Sequence, residues 1–339
     1  MHRIFKVLIS VAIVLSLCCA CLAESREPQA APVTMTVTDQ AGRDVVITSP
    51  ATRIVSCYYI STAALVALGL EDSLVGVEMK AETRGLYNLA APQLVNLPAV
   101  GSGKGVNIEE IAALDPDVVI LPLRLSEDAA TLEELGIPVV LVNPETQADF
   151  EACLRLLGVI TGRYDEAAAL LERCSDITSS VTGSVAEAEK PTVYLAAGSD
   201  YLTTYPSGLY QDDLIAVSGG VNVAAEMDGD SKVTIDAEQL LAWNPDYIFI
   251  VADADYSAGD LMADERLSGL TAVTEGRVYT FPSGIEPWDY PTPSAVLGQL
   301  FMASCLHPDI VAYDDFIEGA TAFYNDIFSI EITPEDLGL

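Results

Sequence analysis

The chain is short of the residues that do most metal and acid–base chemistry near neutral pH. It carries two histidines in 339 residues, His2 and His307, and His2 lies within the opening hydrophobic segment. Histidine-based metal sites and catalysis therefore have almost no material. Positive charge is scarce as well: Lys+Arg is 16 against Asp+Glu 50, a net charge of −34. Phosphate backbones need a basic footprint, so nucleic acid is excluded as a partner. Beyond the opening segment the cysteines are Cys57, Cys153, Cys174 and Cys305, with no CxxC and no zinc spacing. A chain of this length needs no disulfide framework, and all four read as buried thiols. No GxSxG nucleophile elbow occurs. Gly101-Ser102-Gly103-Lys104-Gly105 is not a phosphate loop, because Gly105 stands where Ser or Thr is required and Pro98 where the first Gly should be.

What is present begins with a targeting signature. Arg3 and Lys6 form a basic start, Val7 to Leu17 is an apolar run, and Cys21-Leu22-Ala23 supplies small residues before Glu24. Residues 1–23 read as a signal peptide, too short for a comfortable membrane span. Leu17-Cys18-Cys19-Ala20-Cys21 also resembles a bacterial lipoprotein box, which makes Cys21 a lipidation candidate. Cleavage after Ala23 is the alternative.

The most informative feature of the remainder is a phrase that occurs twice. Residues 109–120 and 238–249 share Glu109/Glu238, Ala113/Ala242, Pro116/Pro245 and Asp117/Asp246 in register. Asn107 and Asp236 suit helix N-caps, with Glu110 and Gln239 placed to complete capping boxes. Each short helix must stop before proline, at Asp115 or Asn244. Apolar runs from Val118 and Tyr247 then read as buried strands. Two copies are too few for a solenoid and fit two similar α/β lobes.

Strand–helix alternation around the repeats predicts parallel sheets faced by helices. The expected divisions are a tether over 24–34, an N-terminal lobe over 35–148, a connecting helix over 149–188, a C-terminal lobe over 189–329 and a tail over 330–339. The apolar positions Phe150, Cys153, Leu154, Leu157 and Ile160 recur at helical spacing, though Gly158 and Gly162 weaken the stretch. A helix of roughly 30 residues would be about 45 Å long, enough to brace two lobes.

An ordered set of short stretches resembles one known family across nearly all of this length. They are Thr38-Asp39…Gly42-Arg43, Arg53-Ile54-Val55-Ser56, Ala67-Leu68-Gly69-Leu70…Leu74-Val75-Gly76-Val77, Asn107 to Ile120, Leu135 to Val139, Gly219-Gly220-Val221-Asn222 and Leu240 to Ile250. The chain looks like the iron-siderophore, haem and cobalamin substrate-binding proteins of ABC importers. The resemblance implies a class III architecture: two Rossmann-like lobes, one long connecting helix and a ligand cleft between the lobes. It implies an extracytoplasmic monomer without catalysis or a permanent cofactor. Such a protein delivers an iron chelate, haem or corrinoid to an ABC permease dimer with its cytoplasmic ATPases, and meets the membrane only through a lipid anchor. Glu109 and Glu238 match the family's permease-docking glutamates, although a carboxylate in a first helical turn is favourable there in any case.

Ligand should lie beyond the carboxyl ends of the strands. The loops leaving those ends offer Tyr58, Tyr59, Arg84, Tyr87, Lys104 and Arg124 from lobe one, and Tyr201, Tyr210, Trp288 and Tyr290 from lobe two. Aromatics with a few cations suit a large planar or chelated anionic ligand, and no metal site is expected. Departures from the family pattern, Thr62-Ala63 in place of a Ser/Thr-Glu pair and the particular Trp288 loop, leave the ligand class open. An extracytoplasmic enzyme on the same scaffold and a surface receptor that senses without transport are the rival readings.

Overall fold

A computed structural model describes residues 33–229 and 231–339. The leader and the Cys21 lipidation candidate lie outside these residues. An antiparallel hairpin, Val33–Thr38 with Asp44–Ser49, opens the described chain, and Gly42 supplies the left-handed turn residue at φ 74°.

Each lobe holds a four-stranded parallel sheet, and the two share one plan. In lobe one the order across the sheet is Leu74–Gly76, Ile54–Ser56, Val118–Pro122, Val139–Val142. In lobe two it is Val221–Asn222, Thr192–Ala196, Tyr247–Ile250, Val278–Thr280. In both, the strand of the repeated phrase pairs with the lobe's first strand in parallel. The internal repeat is therefore one folding unit used twice.

The phrase itself folds largely as expected. Its helices are Ile108–Ala113 and Ala237–Trp243. The Glu110 amide donates to Asn107 at 3.2 Å and the Gln239 amide to Asp236 at 2.7 Å. The expected capping boxes are only half formed, with no reciprocal bond from Glu110 or Gln239 among the described residues; complete boxes occur instead at Ser257 and Thr333. Asp115 and Asn244 both turn left-handed, at φ 48° and 44°. The following proline bars the ordinary helical region, and Asp and Asn tolerate the left-handed one better than most residues.

The single connecting helix over 149–188 is corrected by the structure. Two helices stand there, Gln147–Thr161 and Tyr164–Val185, separated at Gly162 with φ 72°. A residue without a Cβ takes the left-handed cap and redirects the chain. The second helix, 22 residues and about 33 Å long, packs against both Gln147–Thr161 and Val296–Leu306. It is this helix that bridges the lobes.

The pleat explains how the lobes are joined. In lobe one Ile54, Val118, Ile120 and Val140 face a large core that also takes in Tyr164–Val185 and the C-terminal helices, while Val55, Val119, Leu121 and Val139 face a smaller private core. In lobe two Val193, Leu195 and Phe249 face the same large core, and Tyr194, Ile248 and Ile250 a private one. One face of each sheet is thus committed to a shared apolar mass. Opening the lobes would expose part of it, which limits their swing.

Candidate ligand cleft

The first strand of lobe one ends at Ser56 and delivers Tyr58 and Tyr59 to the space at the carboxyl ends of the strands. Both are half-buried, and each is covered by an arginine. Arg124 lies 5.1 Å from the Tyr58 ring centre and Arg84 lies 4.0 Å from that of Tyr59. Arg124 donates from Nε to the Gly103 carbonyl at 2.7 Å. A Cβ on Gly103 would sit 2.0 Å from the guanidinium, so glycine there lets the arginine lie against the backbone. Lys104, next in sequence, is exposed. Tyr58, Lys104 and Arg124 therefore form one cationic, aromatic rim. Its cations stand out in a strongly acidic chain.

Behind Tyr59 the polar groups are buried. Tyr59 donates its hydroxyl to Glu286 of lobe two at 3.3 Å, and Ser294 donates to the other oxygen of that carboxylate. The neighbouring Glu78 accepts from Tyr87 at 2.6 Å and from Thr62 at 2.7 Å. Burial raises both carboxyl groups, Glu286 to about 7, against hydrogen bonds that favour the charged forms. Arg84 interacts favourably with both charges, and its Nε is buried without a partner. The lobes touch closely at this point. The Leu86 amide donates to the Ile285 carbonyl at 3.0 Å, and a Cβ on Gly85 would fall 1.9 Å from the Gly284 oxygen.

Lobe two contributes a different surface. The half-buried Tyr290 donates to Asp253 at 3.0 Å, just past the end of the Tyr247–Ile250 strand. Tyr201 donates to Asp264 at 2.5 Å and meets Tyr256 edge-on at 5.4 Å. Arg266 and Tyr201 hold Asp264 well below the usual carboxylate range.

Three of the ligand residues expected from sequence are corrected by burial. Trp288 is 1 % exposed, donates to the Tyr324 hydroxyl at 3.1 Å and packs edge-on against Phe316. Tyr210 is 1 % exposed and donates to the Ala295 carbonyl at 3.1 Å. Tyr87 is wholly buried on Glu78. A large ring buried with its polar handle satisfied belongs to the core. Cys57, Cys153 and Cys174 are buried free thiols, as expected, whereas Cys305 is half-buried. Among the described residues no cluster of His, Cys, Asp and Glu could hold a metal ion, and no helix is long and apolar enough to cross a membrane.

Sequence reasoning missed Glu78, Glu286 and Asp289. In a chain with 50 acidic residues nothing marks three of them as buried. The one usable signal was the position of Glu286 and Asp289 within the proline-rich segment 286–293, where a rigid backbone can hold polar groups inside.

Two lobes on one plan, braced by a helix, with cations and tyrosines gathered between them, define a two-lobed class III solute-binding protein. The comparisons agree: residues 54–284 match the family described as periplasmic binding protein, and the chain belongs to that family. A molybdate-binding protein of Haemophilus influenzae, MolA, is 25% identical over 88% of this chain and 92% of its own length. A cobalamin-binding protein of Halobacterium salinarum is 25% identical, covering 80% of this chain and 74% of its own. A periplasmic solute binding protein of Veillonella parvula, solved as a crystal structure, superposes with a TM-score of 0.78 at 28% identity, over 90% of this chain and 96% of its own. The chain is accordingly an extracytoplasmic solute-binding protein of the periplasmic type and not an enzyme.

Proposed function

We propose that the protein captures a metal-centred anionic solute and hands it to an ABC permease dimer driven by cytoplasmic ATPases. The carrying observation is the pair of guanidinium groups over adjacent tyrosines, Arg124 on Tyr58 and Arg84 on Tyr59. Such stacked cations offer planar donors together with an aromatic surface, which suits a chelate or macrocycle bearing acidic groups. Iron-siderophore complexes, haem and corrinoids are of this kind. Tyr201 and Tyr290 would meet the solute from the opposite lobe, and Lys104 would add charge at the rim.

A second reading, a bare oxyanion such as molybdate, is favoured by the extent of the match to MolA, which exceeds that to the cobalamin-binding relative. The same arginines would serve it through charge-assisted hydrogen bonds.

Glu109 and Glu238 support the delivery step. Both are exposed, and each occupies the same place in the first turn of the repeated helix of its lobe. Permease and ATPases in proteoliposomes, supplied with this protein and radiolabelled solute, should accumulate label only with ATP and only when the protein is present. Uptake that proceeds equally without it would overturn the reading.

A further inference from the structure

Three buried polar atoms in lobe two have no partner among the described residues: Arg277 Nε, Asp289 Oδ2 and the Tyr205 hydroxyl. Asp289 is wholly buried and Tyr205 is 3 % exposed. Native interiors rarely leave such groups unpaired, because each forfeits its hydrogen bonds to water. Their location gives the reason. The other oxygen of Asp289 accepts the Ala252 amide at 3.2 Å, which ties the carboxyl group to the carboxyl end of the Tyr247–Ile250 strand. Gln211 anchors the Asp289 backbone by donating to its carbonyl at 2.9 Å. The exposed groups around them are Asp253, joined to the half-buried Tyr290, and Lys232, whose Nζ lies 5.5 Å from the Tyr205 ring centre.

We infer that Asp289, Tyr205 and Lys232 form an unassigned subsite in lobe two that receives an anionic oxygen of the solute, with Asp289 protonated and donating. This rests on the solute-capturing reading above and adds to it which atoms are held on the second lobe, and by what chemistry. A carboxyl group with no ion-pair partner, buried and close to the charge of Asp253, favours its neutral form, and burial raises it to about 7. A neutral carboxylic acid is a strong donor to an oxyanion in a dry site. The Tyr205 hydroxyl, which burial also keeps protonated, is a second donor, and the Lys232 ammonium supplies charge. The titratable groups facing Asp289 are Asp253, Tyr205, Tyr210, Tyr290 and Lys232; of these only Lys232 favours the carboxylate. The accepting oxygen could belong to molybdate, to the phosphodiester of a corrinoid, or to a carboxylate of haem or a siderophore.

The test is calorimetric titration of the full chain with molybdate, cyanocobalamin, haem and a ferric siderophore in turn, from pH 6 to 8.5. Whichever binds identifies the source of the oxygen. Its affinity should fall about tenfold per pH unit above the midpoint of Asp289, as expected for uptake of one proton. Asp289→Asn, which keeps a neutral donor, should bind with that pH dependence abolished, and Tyr205→Phe should bind more weakly with it intact. A solute that binds Asp289→Asn and Tyr205→Phe with the wild-type affinity and pH profile would overturn the subsite. Failure of all four to bind the wild type would instead overturn the choice of solute class. In that event a carboxyl carbon NMR titration placing Asp289 in the ordinary carboxylate range would overturn the subsite separately.

Discussion

Asp117 accepts both the backbone N–H and the hydroxyl of Thr52, at 2.8 and 3.1 Å, and Asp246 accepts the same two groups from Thr192, at 2.8 and 2.7 Å. The aspartate repeated in the Pro-Asp turn thus pins the entry of the neighbouring strand in each lobe, and its function is architectural. Replacing Asp246 by Ala removes the acceptor of two donors at a strand entry, and replacing Asp117 that of three, since the Arg53 N–H also donates to it at 2.9 Å. The expected loss is about 1–3 kcal/mol in urea unfolding, with ligand affinity unchanged for the protein that remains folded. Burial opposes ionisation of Asp246, but Thr192 and Arg277 outweigh it and hold its carboxyl group below the usual value. Its contribution is therefore present above the ordinary aspartate range and fades on acidification through the depressed value. Wild-type and Asp246→Ala stabilities should converge in acid.

Gly85 faces Gly284 so closely that any side chain must move a backbone. Gly85→Ala should cost about 1–3 kcal/mol by overpacking, and should speed hydrogen exchange at the Leu86 amide, which donates across the lobes to Ile285. Unchanged exchange at Leu86 would show that this contact does not hold the lobes together.

Glu286 gives a pH signature of opposite sign to Asp246. Its folded value is raised, to about 7, so the fold favours the protonated form. The contribution is fullest below the unfolded glutamate value and is lost as pH rises from there to about 7. Relative to Glu286→Gln, the wild type should lose about 2–3 kcal/mol between pH 4 and 8 in denaturant titrations. Parallel pH curves for the two proteins would remove Glu286 from the account.

Glu109→Lys with Glu238→Lys reverses two exposed charges, each in the first turn of a short helix. Solute affinity and thermal midpoint should stay within error, while uptake through the permease should fall at least tenfold. Full uptake by the double variant would show that neither glutamate docks.

The parts of this molecule that were legible in the sequence are those governed by local rules. Proline after Asp115 and Asn244 stops a helix wherever it occurs, and the in-register glutamates and aspartates mark two lobes. The break at Gly162 was half legible: glycine weakened the helix on paper, but only the packing of Gln147–Thr161 against lobe one shows that the chain must turn there. Trp288 was misread because an aromatic in a proline-rich loop suggests a cleft, whereas its indole N–H finds Tyr324 from the C-terminal helix, 36 residues away. Asp289 is legible only as a polar residue in the proline-rich segment, and its role is not, for the complementary reason. Its importance lies in what it fails to contact, and a missing partner leaves no trace in a sequence.

If the stacked arginines and tyrosines hold an anionic metal-centred solute, calorimetric titration of the wild type and of Arg84→Ala/Arg124→Ala with the same ferric siderophore, haem, cyanocobalamin and molybdate will separate the two proteins. One of these solutes should bind the wild type saturably, one to one and without turnover, and at least tenfold more weakly the double variant. Equal affinity in the two proteins would show that the arginines do not hold it, and chemical conversion of the solute would contradict binding without turnover.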